Sequence, residues 1–563
     1  MRKINSRRWA VLFIQWGFLF ISSLMISGYQ LYSNNHAMQI PFVFWLQDPS
    51  LFPGDPLVST FPKYIGPVWH LVAYISEYIP LEGTLLVFFL ITRASIILAP
   101  AFLACSLLPG SKLAPVGAMA FFALAPAPII GHGTLVINYF EHTSLSVALL
   151  IFAAAAFNSK RNFLWAFLLA AGFNLNILYG IYALAFFIPV ILINTSYRKN
   201  WKKWMEALVV FLILCTPLIL SSLTNFQLDS SHNQLWLKAG EVRHPFHLYP
   251  HTWNIRQIAV FAGFMLCYCL VIFFSRDKIR GLFMQGLIWF VICLCWIGLN
   301  FFGAYIIQSP NLLIIQPARA SDIWFAIAVV QVISVFAYMI EKEEKLSRFS
   351  VVLFFISVMW LNFFYFPVVT IIILFVITVL VTIPGIWKTL KNNRGSVLIS
   401  NAAVMIVLAF GIISLSENFK SYAENGFVKL PVSEMRRVAK WAKEETSKED
   451  VFLIDPNWEE FRPLAQRSVF VAWKDGTAIF WDKSFVEEWV MRIEELGFDF
   501  STAKLGTTKG SIELSQYYKN MEDADVLDLS RKYPIHYWVV DIDKETRFPE
   551  VYSTTKYKVL QIH

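Results

Sequence analysis

The chain has 563 residues, 57% of them hydrophobic and only 15% charged; soluble domains carry about 25% charge, so the composition excludes one and points to a polytopic membrane protein. The formal charge of +8 does not signal nucleic acid, because the Lys and Arg residues fall in short clusters between apolar runs and line no single stripe. All six cysteines lie inside apolar runs, where they pack as small hydrophobes, which excludes a disulfide framework for the polar tail.

Spans of about 20 residues are predicted near 9–31, 84–108, 114–131, 144–158, 163–178, 179–195, 204–224, 256–275, 281–302, 320–340, 349–366, 368–387 and 396–416. The clusters Arg2-Lys3 with Arg7-Arg8, Lys160-Arg161, Arg198-Lys199 with Lys202-Lys203, Arg276 with Lys278 and Arg280, and Lys388 with Lys391 and Arg394 alternate with them. With those clusters inside, the N-terminus is cytoplasmic and about thirteen spans carry the C-terminal tail outside. The first apolar stretch is too long for a cleavable signal and no small-residue cleavage site follows it.

Almost every polar group with chemical potential then faces outward. The first outer loop, 32–83, holds His36 and the turn-forming pairs Asp48-Pro49 and Asp55-Pro56, hemmed by Phe42, Phe44, Trp45, Leu51 and Phe52. Such aspartates either shape turns or, partly desolvated beside a headgroup, serve as a general base. Arg93, deep in the second span, must pair or face a polar cavity. The loop "GHGTLVINYFEHTS" ends on Glu141 and His142, with Thr143 or Ser144 as alternative caps of the following helix.

The loop 225–255 carries "EVRHPFHLYPHTW" with Arg243, His244, His247 and His251. These are a metal cluster, interfacial anchors or lipid-phosphate contacts, although the prolines prevent a helical His-x-x-x-His face. Arg319 of "IIQPAR" is an anchor or a phosphate ligand, since its planar fork suits phosphate. The short inner loops have no G-x-x-x-x-G-K-[ST] and no G-x-G-x-x-G, so no nucleotide is used directly. The tail, 417–563, alternates helix-like and strand-like runs, "PVSEMRRVAKWAKEET", "DVFLIDP", "RSVFVAW", "SFVEEWVMRIEELG" and "IHYWVVDID", and reads as an α/β domain with a parallel or mixed sheet.

The layout of 1–416 with its long first external loop and external tail resembles the GT-C superfamily of membrane glycosyltransferases, which includes oligosaccharyltransferase catalytic subunits, protein mannosyltransferases and bacterial aminoarabinose transferases. The resemblance rests on the first-loop acids Asp55 and Asp48, on Glu141 in "FEHTS" and on Arg319 in "QPAR". It departs in lacking a first-loop D-x-D and in carrying "WKDG" where oligosaccharyltransferases have W-W-D-Y-G, so asparagine-linked transfer is not expected.

The resemblance implies a multi-pass enzyme of the inner membrane with a periplasmic tail. It would move a sugar from a polyprenyl-(di)phosphate carrier to a glycan, lipid or protein acceptor, with inversion. Asp55 would be the base, with Asp48 as rival, and Glu141 would orient the sugar or, with Asp55, a Mg or Mn ion. Arg319, His142, Arg243, His244, His247 and His36 would contact substrate. A transporter or flippase, favoured by Arg93 and the Asn174/Asn176 pair, and a non-catalytic assembly partner are the competing readings.

Overall fold

The computed structural model describes residues 6–64, 66–124, 130, 135–225, 232–279, 281–342, 347–359, 367–383, 393–425, 428–429, 433–500, 503 and 507–562. Arg2, Lys3, residues 131–134 and 226–231 of the loops expected to face outward, Arg280, Lys388 and Lys391 lie outside them.

Among the described residues seven helices are long and apolar enough to cross a membrane: Ser6–Ser27, Leu81–Leu107, Trp201–Leu223, Ile255–Phe274, Leu282–Ile306, Pro310–Lys342 and Gly395–Ser416. Six shorter apolar helices, from Leu113–Ala123 to Ile372–Thr382, fall on the other expected spans. Ile14, Ile213, Leu223, Leu266 and Phe273 stand exposed along the long helices, a surface that is stable only against lipid. This is a multi-pass membrane protein.

The helices that position the site are α1 (Ser6–Ser27), α2 (His36–Gln47), α3 (Pro67–Ser76), α4 (Leu81–Leu107), α5 (Leu113–Ala123), α6 (His142–Asn158), α7 (Asn162–Leu175) and α8 (Ile177–Ile193). At 1.5 Å per residue, α7 spans only about 21 Å of a hydrocarbon layer about 30 Å thick. Its break from α8 at Asn176 therefore exposes backbone polar groups that Asn176 itself partly satisfies, its Oδ1 accepting from Tyr179 N at 3.2 Å. Arg93 in α4 pairs structurally, donating to Ser23 Oγ at 3.0 Å and to the Ile137 carbonyl at 2.7 Å.

The two ends of the bundle differ. At one, Arg8 donates to the Ser111 carbonyl and Glu341 accepts from the backbone N–H of Lys112 at 2.9 Å. At the other lie the long first loop and the tail, joined where β1 (Tyr29–Gln30) pairs in parallel with β2 (Val428–Lys429). Arg93 and these contacts tie the first three apolar segments before any ligand is considered.

The tail forms a five-stranded mixed sheet of order β4-β3-β5-β7-β6, with β3 Val451–Leu453, β4 Ser468–Val469, β5 Tyr537–Asp541, β6 Glu550–Ser553 and β7 Tyr557–Gln561. β3 runs parallel to β4 and β5, and β7 runs antiparallel to β5 and β6. Gly497, at φ +89°, supplies the left-handed step that ends the helix Phe485–Glu495. One face of the sheet buries Val438, Ala442, Phe452 and Val559. The other face is continuous with the loops: Phe42, Phe61 and Trp69 share a core with Trp236, Trp473, Trp489 and Trp538. The tail is thus seated on the loops at its own end of the bundle by apolar burial, and the space left between them is where chemistry can occur.

Candidate active site

Glu141 precedes α6 in extended backbone and is its N-cap: its Oε2 accepts from Thr143 N and its Oε1 from Thr143 Oγ1, each at 2.9 Å. The carboxylate is thereby aligned with the positive end of the helix dipole. Thr143 Oγ1 in turn accepts from Asn176 Nδ2 at 2.9 Å, so the α7–α8 break fixes the first turn of α6. His142 follows, with Nδ1 3.5 Å from Glu141 Oε1.

Arg319 approaches from the late loop. Gln316 takes a left-handed conformation at φ 45°, uncommon for a residue with a Cβ and a mark of a constrained site. That turn puts Gln316 Oε1 2.8 Å from Arg319 Nη1. Arg319 Nη2 donates to the Tyr179 hydroxyl at 3.2 Å, over whose ring the guanidinium also lies. Tyr179 donates onward to Asp322, which is fully buried in the first turn of the helix Ala320–Lys342. Arg319 is thus held in one orientation by Gln316 and Tyr179, with charge compensation behind it.

These groups line one cavity of about 370 Å³. Glu141, His142, Thr143 and Asn176 form one side, and Gln316 and Arg319 another. Lys63 and Tyr64 of the first loop and Thr477 and Trp481 of the tail lie across it, while Leu175, Leu178, Leu218 and Ser222 give a mainly apolar wall. Lys63 is itself anchored to the tail by Asp482 at 2.7 Å. A site with acid, cation and apolar wall together can hold an anionic headgroup and remove a proton from a second reactant.

The other expected site residues are elsewhere, and the physical reason differs for each. Asp55 is sealed beneath the tail: Oδ2 accepts from Arg462 Nε at 2.7 Å and Val469 N at 3.0 Å, and Oδ1 from Leu57 N at 3.1 Å. Arg462 simultaneously makes a bidentate pair with Asp475 at 2.9 and 2.8 Å. Asp55 therefore borders a separate outward groove and does not line the cavity of Glu141. Asp48 is exposed, bridged to Lys448 of the tail at 2.7 Å; Lys448 and Ser50 hold its carboxyl down at about 2, a poor base for a hydroxyl.

His36 is buried with Nε2 3.1 Å from the Phe140 carbonyl, and burial pushes it down to about 4, so it is a neutral strut beside the cavity residues Asn35 and Gln39. Arg243 donates to the Trp473 carbonyl at 2.8 Å and His244 meets the Gly476 carbonyl at 3.3 Å; both are spent clamping the 225–255 loop to "WKDG". His247 packs in a tilted arrangement against Phe246, with ring centroids 4.0 Å apart.

Asp55 and Glu141 do not converge, and among the described residues no three His, Cys, Asp or Glu side chains gather to hold a metal. Sequence reasoning missed Tyr179, Asn176 as a cap, Gln316 and Asp322. Only Asp322 carried a signal, a carboxylate in an otherwise apolar run.

Residues 433–496 match the family described as "Domain of unknown function (DUF6798)". No curated protein matches the chain in sequence. Among solved structures, the chain is similar to ArnT from Cupriavidus metallidurans bound to undecaprenyl phosphate, at 12% identity and TM-score 0.48 over 99% of this chain and 98% of that one. It is similar to the apo state of the same ArnT, at 11% identity and TM-score 0.46 over 98% and 97%. It is also similar to the Archaeoglobus fulgidus oligosaccharyltransferase tethered with an acceptor peptide, at 12% identity and TM-score 0.48 over 96% of this chain and 69% of that one.

Proposed function

We propose that the protein transfers a glycosyl group from a polyprenyl-phosphate-linked donor to a hydroxyl acceptor at the outer face of the inner membrane, with the N-terminus cytoplasmic and the tail periplasmic. The observation that carries this reading is the single cavity in which Glu141 and Arg319, from two separate connections, meet beside an apolar wall and under the tail.

In this reading the prenyl chain lies along Leu175, Leu178 and Leu218 and the phosphate meets Arg319. The acceptor enters on the Thr477 and Trp481 side. Glu141 takes the acceptor proton as the acceptor oxygen bonds to the anomeric carbon. The carbon–oxygen bond to phosphate breaks, and its electron pair leaves on the phosphate, whose growing charge Arg319 and Lys63 offset. Direct displacement inverts the anomeric centre. The base is Glu141, and Asp55 takes the structural task of holding the tail.

The test is to incubate purified protein with labelled polyprenyl-phosphate sugars and score carrier release. Wild type should release carrier, and Glu141→Gln, shown by a cooperative melt to be folded, should not. Equal release by both removes Glu141 from the chemistry; no release with any carrier leaves transport or assembly as the activity and defeats the proposal.

A further inference from the structure

A second cavity, of about 430 Å³, lies wholly in the tail and shares no lining residue with the first. From β3 the chain passes to β4 on one side and later returns to β5 on the other. Strand order therefore reverses between β3 and β5, and outside the carboxyl ends of parallel strands at such a reversal α/β sheets form their ligand crevices. Asp455 stands two residues past β3, Asp541 ends β5 and Asp543 follows it, and all three line the cavity.

Its construction is specific. The Tyr518 hydroxyl donates to the carbonyls of Leu453 and Val539 and stitches the floor across both strands. Asp455 is aimed by Asn457 N at 2.9 Å and by the Ser515 hydroxyl. Trp458 and Tyr557 meet edge to face at 4.5 Å as an aromatic wall. Lys519 lies 3.7 Å from Asp541, and Lys544 donates to the Lys519 carbonyl at 3.1 Å.

The lining holds four carboxylates, Asp455, Asp541, Asp543 and Glu545, against two ammonium groups, a net charge of −2. That balance repels a phosphate or sulfate. No three of the carboxylates gather as a metal site among the described residues. What remains complementary is a compact ligand with several hydroxyls to donate to carboxylates and accept from lysines, and with an apolar face for an aromatic ring.

We propose that this cleft binds a saccharide, neutral or bearing an amino group, and discriminates against phosphorylated sugars. The site does not rest on the transferase reading, because its recognition groups are all in the tail.

The experiment is titration of the full-length protein in detergent micelles with glucosamine, glucose and glucose 6-phosphate, followed by saturation-transfer-difference NMR. Glucosamine and glucose should bind, and glucose 6-phosphate about ten-fold more weakly. Trp458→Ala should weaken sugar binding about ten-fold; Asp543→Asn, on an exposed turn remote from the core, should weaken it about three-fold without disturbing the fold. Glu141→Gln should leave it intact, which separates this site from the transfer cavity. Equal binding of all three sugars, binding unchanged in Asp543→Asn and Trp458→Ala, or calcium ions bound in place of any sugar would overturn the proposal.

Discussion

Asp55 and Glu141 come from two separate connections between helices, are both nearly excluded from solvent, and would serve equally well as bases on paper. Their partners separate them. Asp55 has its oxygens taken by Arg462 and two backbone N–H groups, and Arg462 is shared with Asp475. Glu141 accepts its hydrogen bonds from Thr143, at the start of its own helix, has His142 3.5 Å away, and lines a cavity. A buried carboxylate works on a substrate only if fixed cations have not already consumed it.

The largest effect that breaks this comparison is kinetic. Glu141→Gln should lower carrier release by about 10²- to 10⁴-fold while costing no more than about 1 kcal/mol as an altered cap, whereas Asp55→Asn should keep turnover within about three-fold and cost about 1–3 kcal/mol of stability. Reversed outcomes would return the base to Asp55. Next in size, Arg462→Met strands Asp55 and Asp475 as uncompensated buried charges at a cost of about 3–5 kcal/mol. A thermal-shift assay, with limited proteolysis of the tail, should show the tail released first. Arg319→Lys is smaller: charge survives but the planar fork held by Gln316 and Tyr179 does not, so donor KM should rise about ten-fold with kcat changed less.

Much of this was legible in the sequence because the signals are local. Among the described residues an apolar helix falls on each expected span, Gly497 ended its helix, and five tail segments took their expected form. Glu141, His142 and Arg319 stood out as polar groups at the edges of apolar runs, and the fold gathers them. What was hidden is non-local. The ion pair that commits Asp55 joins residues 407 apart in sequence, and neither motif names the other. Tyr179 sits in a run that reads as core, so its bond to Asp322 has no periodicity to betray it. The hairpin of β6 and β7 turns through Thr554, Thr555 and Lys556, without the Gly, Asn or Asp that marks such turns. Asp322 was readable by the argument applied to Arg93, since a charge inside an apolar run must have a partner.

Lys474 sharpens the comparison most finely, because it is the chain neighbour of Asp475 and yet has no such compensation. It is half-buried, and burial pushes its ammonium down to about 8, helped by Arg243 and opposed by Glu459 and Glu141. Its folded value lies below the ordinary lysine value of about 10.4, so between the two the unfolded chain binds more protons and stability rises with pH. Below about pH 8 the full cost of the buried ammonium is present. Lys474→Met should therefore stabilise the protein by about 1 kcal/mol at pH 7, and the gain should shrink above pH 8 and vanish near about pH 10.4. Paired melting curves of wild type and variant across that range measure it. A variant less stable than wild type at pH 7 would mean that Glu459 and Glu141 outweigh the burial, and that the tail is held to the cavity by an attraction between Lys474 and the carboxylate assigned here as the base.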